Sequence, residues 1–261
     1  MGQKPEWCPD LRGSEYRPFE TVRIPTRGKA SRVPGLKTGR LHHVLSSIEL
    51  RCFYLLEWLP HVVDIREQFA LPPPETEAIA EELGVKHPTI PATGAHKRMS
   101  SDFVVTVTGP HGERDIVRSV KPSEELGRKR TLEKLEIERR YWTRLGVEWK
   151  IVTERDLPAN LVRNIEWVHP YTPASSLSVP TDQVDWLTQR LEEQLRREPT
   201  RAVAVVCSEF DERTGFEPGT HFALVRHALA NRRWPVDMNT EIVGSRPLPF
   251  LDPPSDDHAS A

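Results

Sequence analysis

The chain has 261 residues, enough for one large or two modest domains that each bury a core. Its 36 Lys and Arg nearly balance 38 Asp and Glu, a formal net charge of −2, so bulk charge selects no partner and only the local distribution of charge is informative. Three widely spaced cysteines (Cys8, Cys52, Cys207) exclude a disulfide framework or a CxxC metal knuckle, no apolar run is long enough to span a bilayer, and MGQKPEWCPD lacks the apolar core of a signal peptide; the expectation is a soluble cytosolic protein with no membrane partner.

Residues 10 to 40 hold eight Arg or Lys against three acids, interspersed with prolines and glycines. Two readings suit such an arm: it lies along phosphates, where affinity is electrostatic and salt-sensitive, or it is a solvated terminus of little order. Leu45 to Leu59 predicts a helix, with Ile48, Cys52, Leu55 or Leu56 and Leu59 at three- and four-residue spacing and Pro60 as its stop. Ser46 and Glu49 have the spacing of a capping box, in which Glu49 satisfies a backbone amide; a ligand role for Glu49 is the alternative. Val62 to Phe69 reads as a strand entering the core beside this helix, with Asp64, Glu67 and Gln68 expected on a solvent face.

From Leu71 to Arg98 the composition shifts to proline and acid, with a short helical pattern at Glu75 to Leu83 stopped by Gly84, and a surface loop or insertion is expected. Met99 to Lys121 then predicts a hairpin: an apolar, β-branched run at Phe103 to Val107, turn chemistry at Gly109-Pro110-His111-Gly112, and a second strand at Asp115 to Val120. Ser123 to Leu145 predicts a long helix with Leu132, Leu135, Trp142 and Leu145 on one face, Gly146 ends it, and Glu148 to Thr153 alternates like a strand. Helix, strand, hairpin, helix, strand make an α/β or α+β core.

Pro170 to Pro180 is a polar, proline-rich linker. Beyond it come helical patterns at Asp182 to Arg197, Arg201 to Phe210 and Thr220 to Trp234, then a strand-like run at Asn239 to Val243, which suits a winged-helix-like module. The last eleven residues, with three aspartates and no Lys or Arg, predict a disordered tail. The domains expected are a basic arm (1–40), a catalytic domain (41–169), a helical domain (170–250) and the tail (251–261).

Phosphodiester cleavage needs an activated water, a held oxyanion and a stabilised leaving oxygen, and hard divalent ions on carboxylates supply all three. Glu49, Asp102, the main-chain carbonyl of Val120 and Lys121 provide oxygen ligands plus one cation, and Lys121 orients the water or neutralises transition-state charge. His42, His43, Cys52 and His61 also offer soft-metal ligands, but Cys52 lies on the apolar stripe of its helix and reads as core. The tryptophans Trp142, Trp149, Trp167, Trp186 and Trp234 read as packing residues. Gly215 to Gly219 carries no phosphate-binding signature, so ATP use is expected in a partner.

SSIELRCFYLLEWLPHVVDIREQF (46–69), SSDFVV (100–105), SVK (119–121) and ERRYWTRLGVEWKIVTE (138–154), in this order, resemble TnsA, the endonuclease subunit of Tns-type heteromeric transposases. The resemblance is strong over about residues 40 to 165 and weaker from Pro170 to Leu251. It implies a restriction-endonuclease-like N-terminal domain, a mixed sheet flanked by helices, with two divalent metals (Mg2+, with Mn2+ possible) at the active site. Its catalytic residues match Glu49, Asp102 and Lys121; Ser119 stands where the family commonly has glutamine, and a further acidic position matches Glu138, with Glu136 as competitor. It implies cleavage of transposon 5′ ends in double-stranded DNA, beside a TnsB-like DDE transposase acting on the 3′ ends and a TnsC-like AAA+ ATPase, in bacterial cytoplasm. Arg23, Arg27, Lys29, Arg32, Lys37, Arg40, Lys97 and Arg98 are then candidate DNA or partner contacts. Two other readings are a repair or junction-resolving nuclease of the same fold and a non-catalytic transposition adaptor, which would have no need of Glu49, Asp102 and Lys121 together.

Overall fold

A computed structural model describes residues 11–21 and 29–252, so Arg23, Arg27 and most of the expected acidic tail lie outside the described residues. The chain divides into two compact units, Met1–Leu157 and Pro158–Ala261. No described helix is long and apolar enough to cross a membrane.

In the first unit, β1 (Ser31–Pro34) and β2 (Leu41–Val44) form an antiparallel pair, followed by α1 (Ser47–Trp58), β3 (Val62–Ala70), α2 (Pro73–Glu82), β4 (Ser100–Gly109), β5 (Gly112–Val120), α3 (Lys129–Arg144) and β6 (Glu148–Val152). The second sheet has the order β3-β4-β5-β6, antiparallel except for the β5–β6 pair, whose parallel crossover is α3. Ser46 caps α1 by accepting the Glu49 N–H at 3.2 Å, and Leu59, followed by Pro60, ends it. One buried cluster joins Phe69, Ile79, Val104, Val117, Ile137 and Trp142, so α2 and α3 share a core with the sheet. The proline-rich segment after Leu71 is thus more than a surface excursion: Leu71, Ile79 and Ala80 are buried, and Pro73 begins α2, where its missing N–H costs no helical hydrogen bond.

Two further expectations are corrected here. Asp64, Glu67 and Gln68 do not face solvent; with Arg66 they are buried, because the chain N-terminal to β1 and the β1–β2 pair cover β3. Tyr16, buried and stacked on Phe69, donates to the Glu67 carbonyl at 3.0 Å, Gly13 N donates to Asp64 at 3.1 Å, and Arg12 donates to Thr106 at 2.6 Å. The described parts of the basic arm are therefore built into the first unit rather than trailing from it.

The second unit holds α4 (Ala159–Val168), α5 (Thr181–Arg197), α6 (Val203–Thr214) and α7 (Thr220–Ala230). The linker at Pro170 was expected to open this unit, but α4 already belongs to it. The Trp167 carbonyl accepts from Arg226 on α7 at 2.9 Å, and Asn164 donates to the carbonyls of Met238 and Thr240 at 2.9 and 2.7 Å while accepting the Ile242 N–H at 3.2 Å. Those bonds explain why Asn239 to Val243 forms no strand: a side chain satisfies the backbone groups a neighbouring strand would have taken. Asp211 of α6 holds the start of α7, accepting from Gly219 N at 2.7 Å and His221 N at 3.0 Å. Trp186 is exposed beneath the Arg190 guanidinium, not packed in a core.

Candidate active site

The β4–β5 ladder runs from the turn to the Phe103↔Arg118 pair. Past that pair, Asp102 Oδ2 accepts the Val120 N–H at 2.7 Å, and Val120 joins the β6 ladder opposite Val152. The hairpin end therefore presents a carboxylate where a backbone acceptor would otherwise lie. Lys121 Nζ donates to Asp102 Oδ2 at 2.6 Å and to the Val120 carbonyl at 2.9 Å. Burial alone would favour neutral Lys121, but the Asp102 charge and hydrogen bond outweigh it and raise its pKa, so the ammonium keeps its proton.

Glu49 enters from the first turn of α1 and is buried. Its carboxylate accepts from Leu45 N at 2.9 Å, from the Ser46 hydroxyl at 2.8 Å and from the Gln68 amide at 3.2 Å. Glu49 thus serves the start of the helix and also brings its carboxylate near Asp102. Burial, then the Asp102 charge, push its carboxyl up to about 7. Gln68, expected on a solvent face, is the neighbour that sequence reasoning missed. It has a left-handed φ of 48° at an interruption of the β3–β4 ladder, and its amide oxygen accepts from Ser100 at 3.4 Å. Nothing in a strand's alternation signals a residue that leaves the strand conformation.

Ser119 is fully buried, donating to Glu138 Oε1 at 2.5 Å and accepting from Trp149 Nε1 at 3.0 Å. Trp142 Nε1 donates to Ser101 at 2.8 Å, and the Ser101 hydroxyl bonds Glu138 in turn. Burial, then the Asp102 charge, raise the Glu138 pKa. Of the two candidate acids on α3, Glu138 bonds Ser119 of the hairpin, whereas Glu136 is paired with Arg139 and Arg140. Ser119→Ala is expected to cost about 1–3 kcal/mol by leaving the Trp149 N–H without its acceptor and Glu138 with Ser101 alone, read as a lowered denaturation midpoint.

The described basic candidates differ in what they contact. Arg40, expected as a DNA or partner contact, instead binds Glu67 and the Ile65 carbonyl beneath Tyr16, so its guanidinium is committed inside the fold. Lys37 donates to the Val62 carbonyl at 2.7 Å, Lys97 pairs with Glu20 at 3.1 Å, and Arg98 lies over Phe19. Lys29 and Arg32 are exposed. The soft-metal set is not assembled: His42 bonds Glu67 and Thr38, His61 is exposed, and burial pushes the Cys52 thiol up to about 12.

The donor chemistry at the hairpin end fits a hard divalent ion. Two oxygens, Asp102 Oδ2 and the Val120 carbonyl, already converge on one ammonium, and the buried Glu49 carboxylate lies close enough to feel the Asp102 charge. The TnsA-like endonuclease N-terminal family model matches residues 59–154 and the TnsA endonuclease C-terminal model residues 156–238, placing Asp102, Lys121 and Glu138 inside the first match and Glu49 ahead of it. The Escherichia coli transposon Tn7 transposition protein TnsA is 38% identical over 224 residues, covering 84% of this chain and 78% of that protein.

Proposed function

Because the chain belongs to the TnsA endonuclease family and is the endonuclease subunit of a Tns-type transposase, we propose that it hydrolyses one phosphodiester at each transposon 5′ end. In this reading Glu49, Asp102 and the Val120 carbonyl hold Mg2+, with Mn2+ as a substitute and two ions per site. Bound there, the metal supplies an activated water and stabilises charge on the phosphate. Lys121, which donates to Asp102 and to the Val120 carbonyl, orients the attacking water or neutralises charge in the transition state. Glu138 positions the hairpin from below through Ser119 and Ser101. The observation that carries the reading is the convergence of Asp102 and the Val120 carbonyl on one cation at the end of the hairpin.

The substrate is double-stranded DNA at the transposon ends. A TnsB-like DDE transposase cuts and joins the 3′ strands, and a TnsC-like AAA+ ATPase supplies the nucleotide use for which this chain has no signature. The helical unit provides the contact to that ATPase. The exposed Lys29 and Arg32 remain candidates for DNA or partner contact.

The test is cleavage of labelled end DNA by the reconstituted transposase. We expect 5′ nicks that need Mg2+, stop when a chelator removes it and return with Mn2+. Equal 5′ cleavage in chelator overturns the metal assignment. Nicking by the purified chain alone on DNA without transposon ends would favour a repair or junction-resolving nuclease.

A further inference from the structure

Residues 85–98, between α2 and β4, take no part in the carboxylate site. They fold back on themselves: Lys97 N donates to the Pro88 carbonyl at 2.7 Å, Ile90 N donates to the Ala95 carbonyl at 2.8 Å, and Thr89 bridges His96. The fold-back brings the rings of His87 and His96 to 4.9 Å between centroids. Glu77 of α2 completes the group, its carboxylate 2.8 Å from His96 Nδ1. One ligand atom from each of the three residues lies within 4.8 Å of the others, at a cleft of about 550 Å3 that all three line.

We propose that Glu77, His87 and His96 form a zinc-class transition-metal site, separate from the carboxylate site, that staples the segment leading into β4 onto α2. Two imidazoles and one carboxylate match zinc and its neighbours, whereas magnesium and calcium prefer all-oxygen sets. Tetrahedral zinc with bonds of about 2.0–2.1 Å sets neighbouring ligand atoms about 3.3 Å apart, so ligand atoms that lie within 4.8 Å of one another would have to draw inward to close on an ion. His87 is buried and already anchored, with Nδ1 at 3.1 Å from the Pro88 carbonyl and Nε2 at 3.1 Å from the Thr76 hydroxyl. Whichever nitrogen takes the metal, the other keeps a protein partner, the arrangement that orients a ligating imidazole. Burial also lowers the His87 pKa and keeps a lone pair available. Glu77 and His96, with side chains 39% and 50% exposed, leave an entry path and a position for water.

The segment leads through Met99 into the hairpin strand that carries Asp102, so the staple would hold the lead-in to that strand. The test loads the full chain with Zn2+, exchanges it into excess Mg2+ and counts retained zinc by mass spectrometry, with Co2+ absorption reporting nitrogen ligation. We expect one retained equivalent that Asp102→Asn leaves in place. His96→Ala should weaken binding by about 100-fold or more, since losing only a supporting partner of a ligand costs about 10–100-fold. Glu77→Gln provides the same readout should His96→Ala fail to fold. No retention by the wild-type chain, or retention that survives both substitutions, reduces the cluster to a His96–Glu77 ion pair and overturns the proposal.

Discussion

Asp102→Ala is expected to abolish 5′-strand cleavage by the reconstituted transposase while 3′-end joining continues, shifting products from double-strand excision to nicked, cointegrate-like molecules. Asp102 Oδ2 accepts the Val120 N–H and the Lys121 ammonium, so the substitution removes a proposed metal ligand and the counter-ion of Lys121 together. A loss of roughly 10³-fold or more in 5′ nicking is expected, since removing a single charge-stabilising group in an active site already costs about 10²–10³-fold. Asp102→Asn separates folding from chemistry, because its amide oxygen still accepts from Val120 N while the charge is gone. Equal loss of 5′ nicking in both variants with unchanged 3′ joining is the expected pattern, with the lower thermal unfolding midpoint in Asp102→Ala, which alone also loses the acceptor for Val120 N. Unaltered double-strand excision by either variant would remove Asp102 from the site.

The largest stability effect is expected at Glu67, a residue with no part in the chemistry. Its carboxylate is fully buried, takes Arg40 at 2.8 and 2.5 Å, His42 Nδ1 at 2.7 Å and the His43 N–H at 3.0 Å, and so ties the β1–β2 pair to the edge strand β3. Glu67→Ala leaves the Arg40 guanidinium buried without its anion and should cost about 3–5 kcal/mol, read as a lowered denaturation midpoint of the first unit. Burial works against the charged form of Glu67, but the bonds from Arg40 and His42 outweigh it and hold its carboxyl near 2. The folded pKa lies below the ordinary carboxylate value, so the unfolded chain binds more protons between the two. Glu67's stabilisation is therefore full above about pH 4.5 and lost as the pH falls toward 2. Glu67→Gln should flatten this acid limb of the stability profile, and an unchanged acid limb would show that the network is not holding the pair.

Much of the catalytic unit was legible in its local pattern. α1, the β4–β5 hairpin, α3 and β6 follow from spacing, turn residues and stops close to where they form, because each carries its own periodicity. The helix start and the hairpin ends locate Glu49, Asp102 and Lys121 along the chain, but it is the TnsA resemblance that groups them as one proposed site. The burial of β3 could not be read this way. Its alternation of charge suggests a wet face, and only the covering of Asp64, Glu67 and Gln68 by chain some 25 to 50 residues earlier makes that face interior.

The same long-range covering decided the basic segment and the acids of α3. Lys and Arg in residues 10–40 have the composition of a phosphate-binding arm, but Arg40 reaches Glu67 and Arg12 reaches Thr106, partners that no local window contains. Glu136 and Glu138 are equivalent as letters, yet two residues on a helix point about 200° apart, and only the packing of α3 on the sheet selects Glu138 to meet Ser119. Local sequence determined which segments become helix, strand and turn, and where along them the carboxylates and the lysine stand. Tertiary structure decided which charged side chains are paired inside, since a charge leaves water only when a distant partner arrives to meet it.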